Sequence, residues 1–382
     1  MGEGNDNRAG TGRRHVARQS GGRGGKRPTL ADVAERAGVS TALVSIVMRD
    51  AKGAGAQTRE RVLRAAREIG YRPDARARLL RRSRSRLLGV QFGLQEPFHA
   101  NLVECIYTAA ESAGYDIALS AVAPSRNEQR AVDALLADRC EALILLGPQA
   151  PAARLTDLVG RLPVVSVARR LRDPSVDVVR TADDEGIRQA VDHLVALGHR
   201  TIAHIDGGRA PGAAERRRGY RDAMRHHGLA DQVQVIPGGL TEDHGTAGAR
   251  TLLTDDPHPT AVLAFNDRCA TGVLDAFLRA GVRVPTDISV VGYDDSHLAR
   301  LSHVDLTTVA QDTQRLADQA VERAALRVES REAEGTPPAA RRREIVIPPH
   351  LVLRGTTARA REAPGRSGHS AAASATPPPT SD

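Results

Sequence analysis

The stretch TLADVAERAGVSTALVSIVM, Thr29–Met48, decides how the amino-terminal part of the chain folds. Its apolar residues recur at helical spacing: Leu30, Val33, Ala34 and Ala37 share one face of a first helix. Val44 and Val47, together with Val39, form the inward face of a second. Thr29 followed by Asp32 at the third helical position is a variant of the capping box, so the first helix starts there. Gly38 supplies the turn, and Ser40 caps the second helix, which runs from Thr41 to about Met48. A third helix with Val62, Ala66 and Ile69 inward ends at Gly70. Three short helices around one small core, with AGVS between the first two, form the helix-turn-helix pattern, and a plain three-helix bundle is the alternative.

Working outward, the charge is unevenly divided. Residues 1–86 hold 21 Lys and Arg against 8 Asp and Glu, whereas residues 87–382 hold 33 against 38. A basic head on a slightly acidic body points to a polyanion partner for the head, because each neutralised phosphate releases counterions. With Phe 4, Tyr 5 and Trp 0, stacking platforms for single strands or RNA are not expected; duplex DNA is. Residues 1–27 and the tail from about Ala363 lack apolar residues to offset the entropy of ordering, and read as disordered. No run approaches the roughly 18 apolar residues of a membrane span. Cys105, Cys140 and Cys269 are widely spaced with no CxxC pair, so neither a disulfide framework nor a zinc site is expected. MGEGNDNRAG has no apolar signal-peptide region, which makes a cytoplasmic, nucleoid-associated location the expectation.

After Leu87 strands and helices alternate. The runs LLGVQFG (87–93), EALILLG (141–147), PVVSVA (163–168), TIAHID (201–206), AVLAFN (261–266) and ISVVGYDD (288–295) suit strands buried on both faces of parallel sheets. They are too many for one small sheet, so two α/β subdomains with a cleft between them are expected. Candidate strand ends converge on loops carrying Phe98, Arg216, Asn266 and Asp294, where ligands of open α/β sheets bind. The chemistry fits a polyhydroxylated ligand: carboxylate and amide oxygens accept from hydroxyls, Arg donates a planar fork, and an aromatic ring covers a C–H face. Arg216 in a solvated Arg run and Asn266 as a helix cap are the plainer readings. Enzyme motifs fail: Lys26 and Lys52 are the only lysines and neither lies in a phosphate loop, GxSxG and HExxH are absent, and His193, His199 and His204 lack metal-ligand spacing. The expectation is a non-enzyme without cofactor.

The segments PTLADVAERAGVSTALVSIVMRD and TRERVLRAAREIGYRPDARARLL, followed by VDHLVALGHRTIAHI, AERRRGYRDAM, FNDRCATGVLDAFLRAGVRVPTDISVVGYDD and PPHLVLRGTT, resemble the lactose/galactose repressor family in the same order. The resemblance covers residues 28–357. It implies an α/β protein with an all-α helix-turn-helix headpiece and a body shaped like periplasmic sugar-binding proteins. It further implies a homodimeric regulator, commonly a repressor, that binds near-palindromic duplex DNA and responds to a small effector such as a carbohydrate. Thr41, Ala42 and Ile46 stand at the family's base-reading positions, although Ala and Ile can meet a thymine methyl but make no bidentate bonds to guanine. Thr29, Ser40 and Ser45 are expected phosphate anchors. Pro73–Arg82 resembles a hinge helix in which Arg76 is basic and Leu80 is the minor-groove wedge. Gly55 replaces the Ser that usually caps the third helix. Phe98, Arg216, Asn266 and Asp294 match effector-contact positions, and the second arginine of Arg169-Arg170 has no assignment. The expected division is a disordered basic extension (1–27), headpiece (28–72), hinge (73–86), effector and dimerisation domain (87–360) and disordered tail (361–382). A solute-binding protein without a DNA role is the competing reading.

Overall fold

The computed structural model describes residues 28–48, 51–71, 84–171, 175–254, 258–334 and 343–361. The chain divides between Arg84 and Ser85 into two compact units. The expected hinge positions Arg76 and Leu80, the expected disordered extension 1–27 and the expected tail beyond Arg361 lie outside the described residues.

In the first unit, α1 (Leu30–Ala37), α2 (Thr41–Met48) and α3 (Ala56–Glu68) enclose a core of Val33, Ala34, Ala37, Val44, Val47, Val62, Ala65 and Ala66. The capping box at Thr29 is formed. The Asp32 carboxylate accepts from the Thr29 backbone N–H at 2.6 Å, and the Asp32 N–H donates back to Thr29 Oγ1 at 3.4 Å. Gly38 closes α1 with φ 64°, a left-handed conformation that glycine adopts without strain. Ser40 Oγ accepts from Leu43 N at 3.2 Å, capping α2. Gly55 caps α3 without a side-chain hydrogen bond.

The second unit holds two six-stranded sheets. The first lobe contains β1 (Leu87–Gly93), α4 (Pro97–Ser112), β2 (Asp116–Val122), α5 (Glu128–Ala137), β3 (Ala142–Leu146), α6 (Ala152–Arg161), β4 (Val164–Val167) and β5 (Asp177–Thr181). The chain then enters the second lobe as α7 (Asp183–Ala196), β6 (Ile202–Ile205), α8 (Ala213–His226), β7 (Gln234–Ile236), α9 (Glu242–Leu252), β8 (Ala261–Ala264), α10 (Asp267–Arg279), β9 (Ser289–Asp294) and β10 (Thr308–Ala310). It returns as α11 (Thr313–Glu334) and β11 (Glu344–Ile347) in the first lobe, and crosses once more to β12 (His350–Val352). The sheet orders, β11-β5-β4-β3-β1-β2 and β12-β10-β9-β8-β6-β7, are the same topology used twice. All strand pairs within the sheets are parallel except β10 with β12.

The six apolar runs all form strands, and β3, β4, β6, β8 and β9 are buried along their whole length. Each strand of this kind presents side chains to helices on both faces, which is why alternation is missing from its sequence. In the first lobe one face packs Leu88, Val90 and Ile144 against α4 and α11; the other packs Leu143 and Leu145 against Val132, Leu155 and Leu158 of α5 and α6.

Two close approaches fix the second lobe. A Cβ on Gly245 would overlap the Cys269 carbonyl oxygen, and one on Gly272 the carbonyl oxygen of Glu242, so α9 and α10 pack backbone to backbone. That contact brings Glu242 and Arg268 together at the first turns of the two helices.

Candidate ligand cleft and nucleic-acid face

A cleft of about 570 Å³ lies at the carboxyl ends of the strands of both lobes. It opens where the order of each sheet reverses, beside β1 and β3 in one and β6 and β8 in the other, as the topology rule anticipates. Phe98, Arg216, Asn266 and Asp294, named from sequence alone, all line it. Phe98 and Arg216 are not on loops: each sits near the start of the helix that follows a strand, α4 and α8. Asn266 caps α10, with Oδ1 accepting from Cys269 N at 2.7 Å, so the helix-cap reading and the cleft position both hold.

Arg216 is buried. Its Nε donates to Asp183 Oδ1 at 2.9 Å, its Nη1 to the Phe265 carbonyl at 2.7 Å, and its Nη2 lies 3.7 Å from Asp294 Oδ1. The guanidinium carbon stands 3.5 Å from the Tyr293 ring centre and 4.7 Å from that of Phe265. Burial opposes its charge, but Asp183, then Tyr293 and Asp294, hold its pKa above the ordinary arginine value. Burial raises the Asp183 carboxyl, opposed chiefly by Arg216. Burial likewise pushes Asp294 up to about 6. Asp294 and Asp295 have φ of 113° and 50°, a strained turn for non-glycine residues and a feature that clusters at binding sites. Asp295 is held there by Arg300 at 2.7 Å and Arg354 at 2.6 Å. Gly292 is required two residues before the turn, because a Cβ would overlap Asp267 Oδ1.

Several cleft residues gave no sequence signal. Gln311 lies at the second crossover between the lobes. Its Oε1 accepts from Thr181 Oγ1 at 2.6 Å and its Nε2 donates to Asp294 Oδ1 at 2.8 Å, so one carboxamide ties two crossovers to the strained turn. His99 Nδ1 accepts from Gly93 N at 2.9 Å, which puts the ring proton on Nε2 when the ring is neutral; burial pushes its pKa down to about 4. Burial raises Glu96 to about 7 against the pull of Arg268. Arg268 reaches across the cleft, donating to the Gln95 carbonyl at 3.0 Å while its Nε is held by Glu242 at 2.7 Å. Arg169 is a structural pin, donating to the Pro148 and Ala150 carbonyls at 2.5 and 2.8 Å. Its neighbour Arg170 points to Glu344 at 3.4 Å.

In the headpiece, Thr41 and Ala42 are exposed and Ile46 is half-buried, off the stripe of Val44 and Val47. Among the described residues no cluster of His, Cys, Asp and Glu could hold a metal ion, and no helix is long and apolar enough to cross a membrane.

A small helix-turn-helix unit joined to a two-lobed body with an interlobe cleft defines a class: DNA-binding regulators built on a periplasmic-receptor body. Residues 29–74 match the family model for bacterial regulatory proteins of the lacI family, and residues 191–357 that of the periplasmic binding protein-like domain. The HTH-type transcriptional regulator CelR of Thermobifida fusca is 34% identical over 341 residues, 86% of this chain and 98% of that protein. A solved CelR–cellobiose complex is 30% identical, covers 86% of this chain and 100% of the other, and superposes with a TM-score of 0.61. A LacI transcriptional regulator from a Rhodococcus species is 52% identical across 72% of this chain and 99% of its own, with a TM-score of 0.68. The Lac repressor dimer bound to operator and the anti-inducer ONPF gives 30% identity, 87% and 100% coverage and a TM-score of 0.70. The chain belongs to the lacI family of bacterial regulatory proteins, and it is a helix-turn-helix transcriptional regulator.

Proposed function

We propose that this regulator binds near-palindromic duplex DNA as a homodimer in the cytoplasm and that an uncharged sugar in the interlobe cleft shifts its affinity for that site. The relatives that bind operator DNA as a dimer, or cellobiose, support this reading. The observation that carries the effector's chemistry is the state of Arg216. Nε and Nη1 donate to protein oxygens, Nη2 faces Asp294, and aromatic rings pack against the guanidinium. Its charge is already balanced by Asp183 and Asp294, so it adds little net attraction for a phosphate or carboxylate, whereas Asp183, Asp294 and Glu96 offer acceptors. A donor-rich neutral polyol suits such a lining, and an anion is repelled by it.

In the headpiece, Thr41, Ala42 and Ile46 read bases while Thr29, Ser40 and Ser45 contact phosphates, and Arg76 and Leu80 act in the hinge between a headpiece ending near residue 72 and an effector domain from 87. The protein works by binding and does no chemistry on its ligand. Coupling is reciprocal: a sugar that weakens DNA binding binds the DNA complex more weakly by the same factor.

Selection of duplex sites from a random pool by the full chain, with and without cellobiose and other neutral sugars, tests both halves. Asp294→Ala abolishes the sugar response and retains sugar-independent DNA binding. A chain that is monomeric and lacks duplex affinity at low salt overturns the regulator reading of the head. A response to sugar phosphates in preference to neutral sugars overturns the effector reading.

A further inference from the structure

The cleft extends beyond the cluster around Arg216. In the first lobe its wall includes Gln91, Val132, Leu155 and Leu158. These residues belong to the face of the β1–β3 sheet covered by α5 and α6. Val132, Leu155 and Leu158 form one apolar cluster with Leu143 and Leu145, separate from the Leu88 and Val90 cluster on the opposite face. Gln91 lies two residues beyond Gly89, whose missing Cβ also faces Leu143 and Leu135, so strand alternation turns Gln91 to the same side. Only 3% of Gln91 is exposed. Its Oε1 has no hydrogen-bond partner among the described residues.

A buried amide oxygen without a donor costs free energy that native proteins normally avoid, and such an atom on a cavity wall is a place for a ligand group. Two other polar side chains beside this wall, Glu128 and Arg169, are committed. Glu128 accepts from Gln149 N at 2.8 Å and Ala150 N at 3.2 Å, and Arg169 holds the carbonyls of the same loop. The loop is thereby pinned from both sides, which makes the wall rigid.

We propose that this apolar annex is a second subsite of the cleft. It takes the far end of an elongated, uncharged ligand, an end with apolar faces and a single O–H or N–H donor that bonds to Gln91 Oε1. Charge is disfavoured against Val132, Leu155 and Leu158, which offer no compensation for lost hydration, while Arg154, the one cation of this wall among the described residues, stands at its exposed edge. The inference deepens the effector reading, since the same ligand would reach from Arg216 into the annex, but its test needs no sugar.

The probes are phenol, which is apolar with one O–H donor, and toluene, which has the same shape and no donor. Methyl NMR of the full chain follows Val132, Leu155 and Leu158. Phenol shifts these three methyl groups at millimolar concentration and binds more tightly than toluene. Gln91→Met, which keeps length and removes the acceptor, weakens phenol about tenfold and leaves toluene unchanged, with the melting temperature as the control for folding. Shifts absent from these methyls, equal binding of the two probes to the wild type, or an undiminished phenol preference in Gln91→Met overturns the subsite. Phenol binding as expected with no neutral sugar bound keeps the annex and removes the sugar reading. The converse result keeps the sugar and removes the annex.

Discussion

The headpiece and the body are made of opposite materials. The eight buried residues of the headpiece core are all Val or Ala, whereas the clusters of the body contain Phe277, Tyr220, Tyr293, Leu102 and Ile106. Apolar area removed from water contributes roughly 25 cal/mol per Å², so small side chains in a three-helix unit leave little margin. The body has margin enough to bury Arg216, Asp183, Asp267 and Asp294 in one region. Those four charges are inside and arranged, while the headpiece leaves Thr41 and Ala42 exposed.

The comparison breaks most visibly at Val62, which is fully buried in the headpiece core. Val62→Asp places an unpaired carboxylate there at a cost of several kcal/mol, more than a unit of this size can absorb. Specific duplex binding falls more than a hundredfold, on the order of 3 kcal/mol. Calorimetry shows the body's melting transition in place. A body transition that drops with it would show that the two cores are one cooperative unit.

How much of this was legible follows from burial. The six central strands were readable because both faces are covered, and the cap at Thr29 because its chemistry is local. The remaining strands, β2, β5, β7, β10, β11 and β12, were not. On β2 Leu119 is 41% exposed, so the run DIALSAV lacks the signature of a doubly covered strand, and β7, β10 and β12 have only three residues each. Nothing local says that α11 returns to the first lobe to pack Leu316, Ala320 and Val321 against Val90 and Ile144. The Arg run shows the same limit within one helix. Arg216 turns inward to Asp183, Arg217 pairs with Asp206, and exposed Arg218 pairs with Asp184, because successive helical residues point about 100° apart. The plainer reading of that run is right for Arg218 and wrong for Arg216. Asp183 and Gln311 acquire meaning only where the chain crosses between lobes, which no short motif marks.

The next effect tests whether the outward face of α2 reads sequence. Thr41→Ala and Ile46→Ala each relax preference at particular base pairs by about 1–3 kcal/mol, seen in competition between point-substituted duplexes. Ser45→Ala weakens all duplexes alike. Uniform loss for Ile46→Ala would place its value in packing and would move Ile46 to the headpiece's inner side of the comparison.

In the body the corresponding probe is pH. Burial, then Asp294, pushes Asp267 up to about 8, while Thr308 Oγ1 and Ser296 N donate to its two oxygens at 2.6 and 2.7 Å. The folded state keeps a proton that the unfolded chain releases near the ordinary value of 3.8. Stability from this group is therefore complete below that value and is lost as pH rises through about 8. His99 and His204, both pushed down to about 4 by burial, act in the opposite sense only below about 6.5. Between pH 7 and 8 the body should lose about 1 kcal/mol from Asp267. Asp267→Asn removes its share of this limb in denaturant titrations and leaves the smaller one of Glu96, which burial raises to about 7; an unchanged slope would mean that the Asp267 carboxylate is already charged at neutral pH.

The smallest effect concerns the helix that begins without a cap. Gly55 has φ −65° and ψ 154°, an extended conformation open to any residue, and a Cβ placed on it meets nothing within 4 Å. Its carbonyl already accepts the first helical bond, from Arg59 N at 2.9 Å. A serine here would need no rearrangement to accept from the N–H of Thr58, the third residue of α3, and it also reduces the freedom of the unfolded chain. Gly55→Ser should stabilise the headpiece by about 0.5 kcal/mol. Because the headpiece is a small unit, even that increment moves its melting transition by about 2–4 °C, while the body's transition stays where it was. No shift in the headpiece would mean that the first turn of α3 is satisfied by another group, and that the shortfall in this unit lies in its apolar core alone.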